Sequence, residues 1–432
     1  MSRWFAALTG PLVLAFATAV AAAPPPDAPA NAVLNVQAAV RTALKRSPAL
    51  AGVRAEARAL AQVPAQAGSL PDPRLRFNAI NLPTDTFDTA QEPMTQLQVG
   101  VSQAIPFPGK LGLRADAARF RAQAADQGVA ERRLRLIRDV RRAWWQTFYL
   151  DRALDTVAGN LDLMRQFVQI AQTKYRVGRG LQQDVLLAQL ELSQLLDRQV
   201  RLRAARRAQA ARLNALLNRP TDAPIRLPRR SATDLPAPPR ERALLADADR
   251  DRPLLAAQRR LIAAAGSRVA LARRDYLPDF TLGAAYGLRT GRNPNGTGRA
   301  NLATFMFSMR IPLYAATKQA RAVDQRDAEL IAARHTFEDL RDRVHAQVSV
   351  SLADYRRSRE EFVLFRTGIL PQARQTVQAM LSGYQVSKVD FLNLVRAQTT
   401  LYNYETRYWQ SLANARRALA DLDAAVGKEN LP

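Results

Sequence analysis

The chain repeats itself once, and this repeat constrains its fold more than any other feature of its 432 residues. Short landmarks of the first half return in the same order in the second half, at offsets of 205 to 209 residues. The pairs are Ser47-Pro48-Ala49-Leu50 with Arg252-Pro253-Leu254-Leu255, Leu70-Pro71-Asp72 with Leu277-Pro278-Asp279, Ile105-Pro106 with Ile311-Pro312, Tyr175-Arg176-Val177 with Tyr384-Gln385-Val386, and Ala188-Gln189 with Ala397-Gln398. Self-similarity of this kind indicates that one supersecondary unit is built twice.

The repeat sets the domain boundaries that we predict. Residues 219–240 separate the two copies and are rich in proline, which breaks helices and indicates a linker. We expect a first structural repeat over 23–218 and a second over 241–432. In each copy the predicted order is a helix, two strands, a long helix, a tight turn and a further helix.

Residues 1–22 have the pattern of a secretory signal peptide. Arg3 supplies a positive start, an apolar stretch over 4–20 follows, and Ala21 and Ala22 offer small residues for cleavage. The chain has no cysteine at all. This excludes disulfides, thiol catalysis and a lipoprotein anchor, and it suits an oxidising compartment.

Each copy contains a pair of segments with the period-two alternation of β-strands. The predicted strands are 73–82, 95–105, 279–289 and 302–311. About ten residues is the length that a tilted strand needs to cross a bilayer. A soluble, half-buried hairpin shows the same alternation, so a single pair leaves both interpretations open. The side chains that we expect to face lipid are Leu75, Phe77, Val99, Phe280, Tyr286, Phe305 and Phe307.

The helical segments are too long for a compact globule. Residues 109–177 contain no proline, and a helix of about 70 residues would be a rod of about 105 Å. The matching segment 315–386 contains only Pro371. After it, apolar residues from Phe391 to Val426 follow a spacing of three and four, which indicates a coiled-coil seam. A coiled-coil scaffold would share these helices but would not explain the strands.

The strand count predicts the oligomeric state. Four strands cannot close a barrel, because even small barrels need about eight. Three chains that contribute four strands each would form a barrel of twelve. We therefore expect a mainly α-helical homotrimer with a small twelve-stranded transmembrane β-barrel.

The most specific motif lies in the second copy. Tyr384-Gln385-Val386-Ser387 is followed by Ala397-Gln398-Thr399-Thr400-Leu401-Tyr402-Asn403. This stretch resembles the TolC family of outer membrane efflux proteins, and the resemblance covers essentially the whole mature chain. It implies a trimeric α-helical barrel in the periplasm joined to a β-barrel in the outer membrane. It also implies a passive duct that receives substrate from an inner-membrane RND pump through a periplasmic adaptor.

Three further stretches look like the heavy-metal (CusC/CzcC-like) branch of this family. They are Leu70-Pro71-Asp72-Pro73, Glu92-Pro93-Met94-Thr95-Gln96, and residues 102–110. Heavy-metal cations are therefore the expected cargo. The alternatives are a multidrug or type I secretion exit duct, and a periplasmic coiled-coil structural or adaptor protein.

By the same resemblance, the turns between paired helices are the periplasmic tips of the tunnel. The expected adaptor-docking residues are Val177, Gly178, Leu181, Val386 and Ser387, although plain helix-capping turns would look the same. The expected gate residues are Asp184, Lys388, Asn393 and Arg396, with Asp184 paired to Lys388 at rest. Asn393 and Arg396 stand where the family carries acidic residues, so the aperture is expected to favour anions.

The net charge of +25 and the residue inventory exclude other classes of protein. A basic chain can bind nucleic acid, but export and the scatter of the arginines argue against that partner. His335 and His345 lie too far apart on one helix to share an ion, so we expect no metal site and no cofactor. The sequence has no nucleophile–base pattern or nucleotide motif, so we expect no enzyme. A basic lumen would repel cations, so either the arginines lie outside or the cargo moves complexed.

Overall fold

The computed structural model describes residues 33–386 and 388–431, and the predicted signal peptide lies outside them. The chain is mostly helical and carries one antiparallel sheet. The helices are α1 (Val36–Arg46), α2 (Pro48–Gly68), α3 (Lys110–Arg176), α4 (Gln182–Leu216), α5 (Glu241–Asp251), α6 (Pro253–Arg274), α7 (Gln319–Leu364), α8 (Leu370–Gln385) and α9 (Phe391–Val426). The strands are β1 (Arg74–Ile80), β2 (Gln96–Ile105), β3 (Asp279–Leu288) and β4 (Leu302–Arg310).

The two halves of the chain place the same elements in the same order. Each half begins with a short helix and a longer one, and Pro48 and Pro253 occupy the first turn of the longer helix. Proline is tolerated there because the first amides of a helix have no partner within the helix. Two strands and a long helical hairpin then follow in each half.

The four predicted strands are present and run slightly shorter than predicted. They form one sheet in the order β1-β2-β3-β4, and every neighbouring pair is antiparallel. The central contact between β2 and β3 joins the two halves of the chain.

The long helix of the first half is continuous, but its counterpart is not. Helix α3 has 67 residues and is about 100 Å long. In the second half a π-helical turn, Phe365–Ile369, separates α7 from α8, whose second residue is Pro371. Proline lacks an amide N–H and its ring crowds the carbonyl four residues earlier, so the ladder of hydrogen bonds must shift. No helix of the described ranges combines the length and the apolar character needed to span a membrane.

Aromatic side chains form the core where α3 and α9 pack together. Trp144 stacks on Phe148 with ring centroids 5.6 Å apart, and Phe148 meets Trp409 edge-on at 6.1 Å. The indole N–H of Trp144 donates to the carbonyl of Leu34 at 2.9 Å. Each large apolar side chain buried here contributes about 1.5–3 kcal/mol, which fixes the helices side by side.

The proline-rich segment 219–240, which we call the strap, packs against the helices. It contains no helix or strand, as its prolines predict. Ile225 is buried among residues of α1, α3 and α4. The carbonyl of Pro236 accepts a hydrogen bond of 2.7 Å from Tyr355 in α7, and that of Arg229 accepts one of 2.8 Å from Arg152 in α3. The strap therefore ties both halves of the chain together.

A buried ion pair also joins the two halves. Arg252, directly before α6, donates from Nη2 to Oε1 of Glu131 in α3 at 2.9 Å, and both residues are almost fully buried. The same oxygen accepts from Nε of Arg135 at 2.8 Å. Arg252 Nε and Nη1 and Glu131 Oε2 have no hydrogen-bond partner in the described structure. Burial lowers the pKa of Arg252, so this cation depends on Glu131.

Candidate functional site

The register of the sheet divides its side chains between two faces. Directly paired residues share a face, and Phe77 pairs with Val99, Val99 with Tyr286, and Ala284 with Phe305. One face, which we call the apolar face, therefore holds every side chain predicted to contact lipid. These residues are Leu75, Phe77, Val99, Phe280, Tyr286, Phe305 and Phe307. The opposite face is mainly polar and includes Arg74, Arg76 and Asn78.

The apolar face is largely uncovered in a single chain. Phe305 is 85% exposed, Phe77 73% and Phe307 66%. Phe280 is less exposed, because its ring lies 6.3 Å from that of Phe107 and 5.9 Å from that of Phe307. Soluble monomers rarely expose so large a contiguous apolar surface, so this face requires a partner or a lipid environment.

The outer strands of the sheet, β1 and β4, each pair on one side only. Their other edges present unpaired N–H and C=O groups within one chain. Open edges are templates for pairing with another strand, and they are not tolerated in lipid. The sheet is therefore incomplete unless β1 and β4 find further strands.

A buried lysine fixes the corner between the sheet and the long helix of the first half. Lys110 opens α3, and its Nζ lies 2.9 Å from Asp279 Oδ1 and 3.3 Å from Asp275 Oδ1. It also donates to the carbonyl of Leu277 at 2.9 Å. Gly109 precedes it with a φ of +88°, a conformation that disfavours other residues. This arrangement, the corner, holds β2 and β3 at the foot of α3.

The first helical tip lies between α3 and α4 and is exposed. Val177 and Leu181 are 63% and 59% exposed, which agrees with a docking role but does not test it. Gly178 has a φ of +72° and open space around it. A bulky residue at Gly178 would strain the backbone rather than block a contact, so Val177 is the better position for a docking test.

The second helical tip lies between α8 and α9. Val386 is 64% exposed there. Ser387, the remaining predicted docking residue, lies outside the described residues. Lys388 is exposed, and its backbone N–H donates to the carbonyl of Gly383 at 2.8 Å.

The two tips pack against each other. Lys174 in α3 donates from Nζ to the carbonyl of Tyr384 at 2.7 Å and lies 4.0 Å from the centre of its ring. Tyr384 also packs on Phe391, with ring centroids 5.2 Å apart. Burial raises the pKa of Tyr384, and the negative charge of Asp184 raises it further. The ends of both hairpins thus form one cluster.

The predicted pair between Asp184 and Lys388 is not formed within one chain in the described structure. Burial raises the pKa of Asp184, the charge of Asp390 adds to this effect, and the charge of Lys174 opposes it. The charges that act on Asp184 therefore belong to Lys174 and Asp390. A contact with Lys388 of another chain stays a prediction.

The two other predicted gate residues share an exposed face of α9. Asn393 and Arg396 are exposed, whereas Phe391, Leu394 and Val395 between and beside them are buried. Arg396 has no ion pair within the described part of this chain. Their role in an aperture, and its preference for anions, stay predictions.

The histidines have separate carboxylate partners. His345 Nε2 lies 2.9 Å from Asp249 Oδ1, and His335 Nδ1 lies 3.0 Å from Glu338 Oε2. Across residues 33–386 and 388–431, no group of three or more His, Cys, Asp and Glu side chains could hold a metal ion.

Sequence reasoning missed three of the residues that shape these sites. Asp390 directly precedes the apolar run of α9, and an acid in that place is a recognisable helix start. Lys174 gave no signal, because the carbonyl that it contacts belongs to Tyr384, 210 residues away. The pairing of Lys110 with Asp279, 169 residues away, gave no signal either, although Asp279 lies in a repeated landmark and Lys110 in the motif over 102–110.

Comparison with known proteins gives a family match over most of the chain. The family described as "Outer membrane efflux protein" matches residues 39–219 and 244–428. One curated relative is the cobalt-zinc-cadmium resistance protein CzcC of Cupriavidus metallidurans. It is 24% identical over 369 residues, which cover 84% of this chain and 82% of that protein.

Solved outer membrane channels share the fold. VceC from Vibrio cholerae has a TM-score of 0.76 at 18% identity, covering 91% of this chain and 96% of that one. CusC has a TM-score of 0.76 at 15% identity, covering 91% and 92%. The predicted TolC-like fold class is thereby confirmed.

Proposed function

The chain belongs to the outer membrane efflux protein family, and on that premise we propose that it is the exit duct of a tripartite heavy-metal efflux system. As a family member it is a passive channel of the outer membrane and not an enzyme. The proposal adds a homotrimeric assembly, an adaptor and an RND pump as partners, and heavy metals as cargo.

One observation carries the proposal. The sheet has an uncovered apolar face and two unpaired edges, and its strands are joined to long helices. The apolar face suits lipid, and the opposite polar face suits a water-filled lumen. Closing the sheet removes the open edges. Three copies of the four-stranded sheet give twelve strands, enough for a closed barrel.

The tips support docking of a periplasmic adaptor. They lie at the ends of the helical hairpins remote from the sheet and expose Val177, Leu181 and Val386. Apolar side chains exposed on a turn are contact points for another protein. A passive duct has no energy source of its own, so an inner-membrane pump of the RND type supplies the driving force.

The relationship to CzcC and the heavy-metal motifs support metal cargo. The polar face of the sheet is basic: it carries Arg74, Arg76 and Arg310, while its acid Asp279 is paired with Lys110. A lumen of this charge repels bare cations. The metal therefore passes as a complex with anionic ligands.

The test is deletion of this chain's gene in its native host while the adaptor and pump genes stay intact. We expect growth to become sensitive to cobalt, zinc or cadmium, and the wild-type gene to restore resistance. The Val177→Asp variant should assemble normally but fail to restore resistance, because it places a charge on the docking tip. Val33→Asp is the matched control, since Val33 is 58% exposed and lies far from the tips in sequence. Sensitivity to drugs with unchanged metal resistance would instead assign a multidrug duct.

A further inference from the structure

We propose that β4 of one chain pairs with β1 of a second copy in a defined register that places Phe307 opposite Phe77. We further assign an ion pair between Lys318 of the first copy and Asp72 of the second. This inference rests on the proposed function, because it needs copies of the chain to close the barrel. It adds the residues that meet at the seam between copies.

The internal repeat supplies the rule for this register. The landmark Leu70-Pro71-Asp72 maps onto Leu277-Pro278-Asp279, so β1 maps onto β3 with an offset of 207 residues. The landmark Ile105-Pro106 maps onto Ile311-Pro312, so β2 maps onto β4 with an offset of 206 residues.

The rule holds for the contacts inside one chain. Arg74 pairs with Ser102 in the first hairpin, and the two offsets map this pair onto Thr281 and Ser308. Thr281 and Ser308 are paired in the second hairpin. The two hairpins therefore have the same register, and the repeat is exact at the level of strand pairing.

The same offsets convert the contact between β2 and β3 into a contact between β4 and β1. Val101 pairs with Ala284, and the offsets map this pair onto Phe307 and Phe77. The neighbouring pairs that follow are Met309 with Leu75, and Phe305 with Ala79.

The resulting seam continues the apolar face. Phe77 and Phe307 lie on that face in their own hairpins and are 73% and 66% exposed in one chain. A slip of one residue would set Phe77 opposite Met306 or Ser308, which lie on the other face. Aromatic residues directly opposite each other stabilise antiparallel strands, so the register is also the favourable one.

The corner gives an independent argument from charge. Inside one chain, Lys110 at the start of α3 pairs with Asp279 at the start of β3. The counterpart of Asp279 is Asp72. The offset of 206 places Ala316 at the position of Lys110, and Lys318, two residues later and directly before α7, is the nearest cation to that position. Asp72 and Lys318 are both exposed, and neither has an ion pair in the described part of the chain. The register sets the end of β4 beside the start of β1, so Lys318 and Asp72 lie at the same end of the seam, where opposite charges attract.

Cysteine cross-linking tests the register directly, because the chain has no cysteine of its own. In the Phe77→Cys/Phe307→Cys variant, the two Cα atoms across the seam should be about 4.5–5.5 Å apart, within disulfide range. Oxidation in membranes should give covalent dimers and trimers on a denaturing gel. The matched control is Phe77→Cys/Phe305→Cys, which stays on the same face but sits diagonally at about 7–8 Å and should cross-link far less.

A charge exchange tests the ion pair. Lys318→Glu and Asp72→Lys should each lower the temperature at which the trimer dissociates, and the double variant should recover it. If the double variant dissociates at a temperature no higher than those of the single variants, the assigned ion pair is wrong. A higher yield of cross-linked chains for Phe77→Cys/Phe305→Cys than for Phe77→Cys/Phe307→Cys would overturn the register but not the trimer. A wild-type chain that sediments as a monomer in detergent would overturn the proposed function itself.

Discussion

Replacing Glu131 with methionine should destabilise the chain strongly, because it leaves Arg252 buried without a counter-charge. Arg252 makes its one side-chain hydrogen bond in the described structure to Glu131, at 2.9 Å, and its Nε and Nη1 have no partner. The nearby cations Arg135 and Arg138 lower the pKa of Arg252 further. Removing one partner of a buried ion pair costs about 3–5 kcal/mol of stability. We therefore expect Glu131→Met to lower the free energy of unfolding by that amount.

Removing the charges of both Glu131 and Arg252 should restore the stability that Glu131→Met loses. The pair is joined by a single hydrogen bond and leaves three buried polar atoms without partners, so it offsets little of its own desolvation. Arg252 makes no side-chain cap to α6 that a substitution would lose. The Glu131→Met/Arg252→Leu variant should therefore be as stable as the wild type, or more stable by about 1–4 kcal/mol.

The measurement is guanidinium unfolding in detergent, followed by far-UV circular dichroism at one fixed protein concentration, since oligomers unfold in a concentration-dependent way. Glu56→Met is the matched control, because Glu56 is exposed on α2, and it should change stability by no more than about 0.5 kcal/mol. The reasoning would be refuted if Glu131→Met lowered the free energy of unfolding by less than about 1 kcal/mol. It would also be refuted if the double variant were no more stable than Glu131→Met.

Three further predictions concern pH, lipid and the aperture. Burial raises the pKa of Asp423 to about 6, so the folded chain holds this proton more tightly than the unfolded one. The contribution of Asp423 to stability should therefore fall as the pH rises from about 4 to about 6, and unfolding midpoints of Asp423→Asn should lack this fall. Phe305→Arg on the apolar face should lower trimer yield in membranes at a cost of about 2–4 kcal/mol, whereas Ser308→Arg on the polar face should not. Asp184→Ala and Arg396→Ala should change conductance or anion preference in planar bilayers; unchanged values would mark ordinary solvated charges.

The strands and long helices could be predicted because their signals are local. Alternation along β2 and β3 assigns Val99 and Tyr286 to the apolar sides of their strands, wherever those strands lie in the fold. The long helix α3 could be predicted because its sequence contains no proline. This alternation can be read without knowing which strand pairs with which, an order that only the structure shows. Residues such as Phe305 were therefore assigned to a face before any contact was known.

Contacts between distant segments could not be predicted in this way. Nothing in the pattern around Lys110 points to Asp279, and nothing around Glu131 points to Arg252, because packing of the whole fold brings them together. The π-helical turn before Pro371 was missed for a different reason. A proline indicates that the helix is disrupted near that position. Whether the helix ends, kinks or gains an extra residue depends on the segments packed against it.

The strap has a mechanical consequence for the trimeric ring that we propose. It is anchored to α3 through Arg152 and to α7 through Tyr355, both at hydrogen-bond distance. In the proposed trimer, these hydrogen bonds oppose any movement that separates α3 from α7 beside the strap. The helical tips lie remote from the sheet, and in the described structure they make no hydrogen bond to the strap. Widening of such a ring is therefore expected at the tips rather than beside the strap.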